Sequence, residues 1–292
     1  MALVTMKEIL DEAVKGKYAV GAFTGGNLVT AEAVLTVNKE LHTPVIFLMH
    51  PMYLKMIGTD VALYFRLLKE MIRSVDIPAT IILDHGRDFK DCMECIHYGI
   101  PSVMFDGSKL SNEDNIAATT EIVKAAHACG VTVEAEIGHV GGNEGTTDEG
   151  VAKSEYYTKP EDAEEFAART GIDALAVSIG TVHGIYQGTP RLDIPRLDEI
   201  RARVGGLPLV MHGGSGLPDE EFTKAVDHGI NKINFVTGMM VTAAGDVEAA
   251  KQAKARKTKK PFTYYDISSA VMDSMMNTVR HQVEVFRTRP WA

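Results

Sequence analysis

Three cysteines in 292 residues are too few for a disulfide framework. Two of them, Cys92 and Cys95, stand three apart in a helical stretch. That spacing suits a redox or metal pair, or two half-buried helix residues. With no second cysteine pair to complete a zinc site, the second reading is the expectation. No apolar run reaches the roughly 20 residues needed to span a bilayer. The amino-terminal stretch has an acid early, at Glu8, and no long apolar segment. A leader peptide is therefore not expected, and a cytoplasmic location is. Positive charge is in the minority: 30 Lys and Arg against 39 Asp and Glu, a net charge of −9. That balance argues against nucleic-acid or membrane partners, without excluding a local basic pocket for a phosphate. The Gly-x-Gly-x-x-Gly fingerprint that opens a doubly wound dinucleotide-binding sheet is also missing.

What the chain does have is an ordinary globular balance, 45% hydrophobic and 24% charged residues, enough for a sizeable core. Short apolar runs rich in β-formers recur at 18–23, 44–49, 79–83, 102–105, 131–137, 174–179, 207–211 and 232–236. Amphipathic helical stretches separate them, over 30–41, 60–75, 88–97, 112–129, 160–170, 195–204 and 219–228. Two more follow the last run, at 239–253 and 268–286. Eight strands alternating with helices predict parallel β-α units closed into an α/β, (β/α)8 TIM barrel. The expected organisation is a single domain over 1–292 with C-terminal helices from about 239. The stretch 138–156, rich in Gly, Glu and Asp, reads as a long functional loop. The basic stretch 251–260 reads as a solvated helix end.

In such a barrel chemistry gathers at the carboxyl ends of the strands. Three of those ends carry a histidine: His85, His183 and His212. A single histidine there is ordinarily a hydrogen-bonded structural residue. Three at one mouth point to a divalent ion such as Zn2+, because three neutral imidazoles leave a coordination position open. Gly184, Gly213, Gly214 and Gly216 let backbone N–H groups approach an anion. The segments Gly213–Ser215 and Asn234–Thr237 follow the seventh and eighth strands, where barrels commonly hold phosphate. Asp84, next to a candidate ligand, is either a general acid-base or a carboxylate that orients a ligand. Asp106 and Glu136 can bind a second divalent or a monovalent cation, or brace the first. Glu144, in the long loop, is either a mobile acid or a solvated one. The remaining histidines, His50 and His139 among them, read as structural or surface residues.

These segments together resemble the class II, metal-dependent fructose- and tagatose-bisphosphate aldolases, from about residue 6 to 250. The resemblance is carried by Gly21-Ala-Phe, Leu83-Asp-His, Met104-Phe-Asp-Gly-Ser and Val133-Glu-Ala-Glu-Ile-Gly. It continues through Gly141-Gly, Ala176-Val-Ser-Ile-Gly-Thr-Val-His-Gly-Ile-Tyr, Met211-His-Gly-Gly-Ser-Gly and Lys232-Ile-Asn, in the family's order. It implies a lyase of carbohydrate metabolism that forms a homodimer or homotetramer. It also implies His85, His183 and His212 as ligands of a catalytic zinc, with Asp106 and Glu136 at a second metal position. Asp84 then matches the acid that protonates the alkoxide of the aldehyde fragment. Glu144 matches the loop acid that exchanges the proton on the enediolate carbon. Gly184, Gly213, Gly214, Ser215, Asn234, Phe235, Val236 and Thr237 match the loops that hold the sugar phosphate. The implied reaction splits a ketose (bis)phosphate reversibly into dihydroxyacetone phosphate and an aldehyde, with zinc spreading the carbanion charge as an enediolate.

Several positions depart from the family pattern: Thr24 where relatives have Asn, His50 after the second strand, Gln187 after the second histidine and Gly238 after Thr237. All lie around the substrate rather than the metal. They leave a divergent sugar or sugar-acid phosphate as the second substrate class. A metal-dependent sugar-phosphate epimerase and a noncatalytic aldolase partner subunit are the further alternatives. The carboxyl-terminal stretch 286–292 either packs on a neighbour or frays.

Overall fold

Short, near-continuous apolar runs too short to be helices, alternating with amphipathic helices, leave the chain one economical packing: strands inside, helices outside. The computed structural model describes residues 2–56, 60–142, 149–150, 152–186 and 190–291. Its strands are β1 (Val20–Thr24), β2 (Val45–Met49), β3 (Ala79–Gly86), β4 (Ser102–Phe105), β5 (Thr132–Ile137), β6 (Glu149–Gly150), β7 (Ala174–Val177), β8 (Ile185–Tyr186), β9 (Leu209–Met211) and β10 (Ile230–Phe235). Eight of them close a parallel barrel in the order β1-β10-β9-β7-β5-β4-β3-β2. The fold is a (β/α)8 barrel. The remaining two, β6 and β8, pair with each other outside it.

Alternation along each strand divides the core in two. Outward side chains such as Phe23, Phe47, Ile81, Val103 and Phe235 pack under the helices. Inward ones, including Ala22, Ile46, Leu48, Met104, Ala176 and Val210, fill the barrel. A helix over Met6–Gly16, absent from the expected elements, closes the amino end of that interior. Its buried face is Met6, Ile9, Leu10 and Ala13, and a Thr5–Glu8 capping box starts it. The Met6 N–H donates to Ser102 Oγ at 2.9 Å. A second unexpected helix, Pro51–Met56, follows β2.

The carboxyl-terminal stretch is tied to its own barrel as far as Trp291. Phe286 is buried with its ring 5.2 Å from that of Phe222. Thr288 Oγ1 donates to the Ala19 carbonyl at 2.7 Å, and the Trp291 N–H to that of His42 at 2.7 Å. Cys92 and Cys95 are buried thiols, and burial raises the pKa of Cys95 to about 12. This is the inert, structural environment. The basic stretch ends the helix Thr237–Lys257, where Lys254 pairs with Asp266 at 2.6 Å. Among the described residues no helix is long and apolar enough to cross a membrane.

Candidate active site

At the carboxyl end of β3 the backbone breaks its own regularity. Register with β4 shifts between Leu83 and Gly86, and His85 takes a left-handed φ of 50°. Neighbouring strand residues normally face opposite sides. The irregularity instead lets Asp84 and His85 both serve the mouth. His85 meets two further rings there. His183 lies 5.0 Å away between centroids and His212 lies 4.7 Å away. One nitrogen from each of the three histidines lies within 4.8 Å of the others, so the group can hold a metal ion.

The outer nitrogens fix which lone pairs face inward. His85 Nδ1 lies 2.8 Å from Asp106 Oδ2, and His212 Nε2 lies 2.9 Å from Glu134 Oε1. A carboxylate on each outer nitrogen holds the ring proton there. The inner nitrogens, His85 Nε2 and His212 Nδ1, then confront each other at 2.9 Å with lone pairs. Two lone pairs at that distance suit a shared cation, and the donor set fits Zn2+. Burial lowers the His212 pKa, which keeps the ring neutral, the form that ligates. Burial pushes the Asp106 carboxyl up, but hydrogen bonds from His85 and Ser108 hold it well below the usual range.

Beneath this layer runs a buried polar chain. Lys232 Nζ lies 2.9 Å from Glu134 Oε2 and donates to Asn234 Oδ1 at 2.8 Å. That bond turns the Asn234 amide so that Nδ2 donates to Asp84 Oδ1 at 3.0 Å. Burial disfavours the Glu134 carboxylate, yet Lys232 and His212 bring its pKa below the ordinary value. Strand periodicity explains the convergence: Glu134 and Glu136 share the inward face of β5, and Lys232 and Asn234 that of β10. Glu136, Asp106 and His85 form a second group able to hold a cation. Burial, then the Asp106 charge, raises the Glu136 pKa well above normal.

A cavity of about 560 Å3 opens above the histidines, lined in part by His50, His85, Arg87, Asp106, Lys109 and His183. A family model described as class II fructose-bisphosphate aldolase matches residues 4–289. The chain belongs to the class II fructose-bisphosphate aldolase family. It is 42% identical over 240 residues to the fructose-bisphosphate aldolase of Geobacillus stearothermophilus, covering 81% of this chain and 82% of that one. It is 40% identical over 247 residues to the fructose-bisphosphate aldolase of Staphylococcus aureus (strain Mu50), covering 84% of each. The crystal structure of the YdjI aldolase from Escherichia coli K12 superposes with a TM-score of 0.84 at 27% identity, over 98% of both chains.

Within this aldolase barrel the expected phosphate segments lie together beyond β7, β9 and β10. Gly213, at φ 68°, runs so close to Val182 that a Cβ would fall 2.5 Å from its carbonyl oxygen. Tyr186 braces the same turn, donating to the Gly213 carbonyl at 2.5 Å. After Val236 the 21-residue helix Thr237–Lys257 begins without a side-chain cap, so its first N–H groups are available to an anion. Two expected binding residues are placed otherwise. The Asn234 side chain is engaged by Lys232 and Asp84 inside the barrel. Phe235 points outward, its ring 6.1 Å from that of Phe222, so only its backbone can face a ligand. Gly184, Ser215 and Thr237 are buried at the mouth. Glu144 and Gln187 lie outside the described residues.

Sequence reasoning gave no role to Glu134 or Lys232. The signal was present, since each stands two residues before an assigned residue on the same face. It read His139 as structural or surface, and that residue lines the cavity, as does His50, one of the departures expected around the substrate.

Proposed function

We propose that the chain is a zinc-dependent aldolase that reversibly cleaves a ketose phosphate, by default a 1,6-bisphosphate, into dihydroxyacetone phosphate and an aldehyde. The observation that carries this is the facing pair of imidazole nitrogens 2.9 Å apart, each ring locked from behind by a carboxylate, beside the oriented Asp84. In this reading His85, His183 and His212 hold the ion, which supplies Lewis-acid charge beside the carbon that becomes nucleophilic. In cleavage Asp84 takes the proton from the hydroxyl at the breaking bond. In condensation it returns that proton to the alkoxide. Asn234 aims Asp84, and Lys232 aims Asn234. Glu144 exchanges the proton on the enediolate carbon. Asp106 and Glu136 complete a second cation position with His85. The backbone of Gly184, Gly213–Ser215 and Val236–Thr237 receives the ketose phosphate at the helix amino end.

The same reading takes residues 1–292 as a single domain in the cytoplasm, where the three cysteines stay reduced. It takes the assembly as a homodimer or homotetramer. Tyr264 and Tyr265, 72% and 82% exposed, together with Val241 and Ile267 offer apolar surface on the last two helices for that contact. Cleavage of fructose and tagatose 1,6-bisphosphate, followed by coupled detection of dihydroxyacetone phosphate with and without chelator, tests the activity. Chelator-sensitive release is the expected result. A zinc-loaded protein that inverts a carbon without releasing the three-carbon fragment would overturn it.

A further inference from the structure

His85 and His212 each have a carboxylate behind the ring, and the two carboxylates are answered differently. Asp106, behind His85, is held on its other oxygen by the Ser108 hydroxyl at 2.6 Å, a neutral donor. Glu134, behind His212, meets an ammonium. Lys232 Nζ donates to Oε1 at 3.1 Å and lies 2.9 Å from Oε2. Oε1 also accepts from His212 Nε2 at 2.9 Å, so lysine and imidazole share one oxygen. A further bond to Asn234 Oδ1 at 2.8 Å fixes Nζ there. Lys232, Glu134 and His212 are all 0% exposed, and among the described residues no other lysine or arginine is buried.

Holding the His212 ring does not require this pair. A glutamine at position 134 accepts from Nε2–H through its carbonyl oxygen and needs no lysine. Burying two charges carries a desolvation penalty that such a neutral arrangement avoids. The charges bear instead on the metal. A carboxylate on the outer nitrogen makes an imidazole a stronger ligand. An ammonium on the same oxygen takes part of that charge back. It also sets a positive charge beneath a cation, in an interior with little water to screen the repulsion. Both effects oppose the ion. Ligands that give the ion less charge leave it a stronger Lewis acid.

We infer that Lys232, beyond aiming Asn234, is a positioning residue that holds down the zinc affinity of the three histidines by drawing the Glu134 charge away from His212. This deepens the proposed aldolase reaction and rests on its metal site. The test is the zinc affinity of metal-stripped protein, read by competition with a chelator of known affinity. Changing a partner behind a metal ligand shifts affinity by about 10- to 100-fold. Lys232→Met should bind zinc more tightly than the parent, by about tenfold, although it is the less stable protein without metal. Zinc should then raise its unfolding midpoint by more than it raises the parent's. A lysine that only props the fold predicts the opposite sign, since a loosened site binds less tightly. Glu134→Gln combined with Lys232→Met removes both charges at nearly constant shape, and carries the test if the single variant does not fold. Its affinity should stay within about tenfold of the parent's, because the lost carboxylate and the lost ammonium offset each other. A Lys232→Met affinity no higher than the parent's, or a larger loss in the double variant, would overturn the inference and leave the metal site standing. A parent that binds no zinc, or that binds it equally well after His212→Ala, would overturn both.

Discussion

At the amino end of the barrel the interior is closed by Met6, Ile9, Leu10 and Ala13, apolar side chains from one helix face against apolar strand residues. At the carboxyl end the same inward positions carry Asp84, Glu134, Glu136, His212, Lys232 and Asn234, all buried. The first end needs volume and little direction, since apolar packing tolerates swaps of similar size. The second needs every polar atom answered, because an unmatched buried charge costs several kcal/mol, about 3–5 when one partner of a buried pair is removed. Below, stability comes from packing volume; above, it depends on each buried charge keeping its partner.

Substitutions at the two ends should therefore fail in different ways. The largest effect belongs to Asp84→Asn, which should keep the metal and lose about 10²- to 10⁴-fold in turnover. Single-turnover cleavage of the bisphosphate checks it, and near-parental turnover would remove Asp84 from its acid-base role. Lys232→Met leaves Glu134 buried without its main countercharge and should cost about 3–5 kcal/mol in denaturant unfolding of the metal-free protein. It should also lower turnover, because the Asn234 amide loses the contact that orients it toward Asp84. The sign of its pH dependence follows from the lowered Glu134 pKa. In the parent the carboxylate contributes stability above its unfolded pKa, and that contribution is lost as pH falls toward the folded value. The gap between parent and variant should therefore narrow on acidification. A gap that widens contradicts the ion pair.

At the other end, Leu10→Ala should cost about 2–5 kcal/mol of stability and leave kcat unchanged at temperatures where the protein is folded. A tenfold fall in kcat would mean that the two ends are not separable. The smallest effect is Thr5→Ala, which removes the capping box of the same helix for about 1 kcal/mol, read as a shift in the unfolding midpoint.

The barrel was legible because strand and helix periods alternate eight times, and the three histidines because each follows an apolar run. What escaped was set by three-dimensional closure. The helix over Met6–Gly16 has apolar positions at i, i+3, i+4 and i+7, but a short first segment reads equally as a lead-in until a barrel bottom needs filling. Lys232 looked like a strand residue of no chemical use. Its role depends on Glu134, 98 residues earlier, entering the same interior. Asn234 and Phe235 sit in a segment whose position near phosphate was readable, while their side-chain directions were fixed by Lys232 below and Phe222 outside.

The metal site supports everything above it, and one titration reaches it. Zinc is added to chelator-stripped protein, and to stripped His212→Ala protein, with bound metal and heat released measured together. The parent should bind tightly, and the variant should lose at least about 100-fold in affinity with one of three ligands gone. A His212→Ala protein that binds zinc as tightly as the parent would show that the three-histidine cluster is not the metal centre.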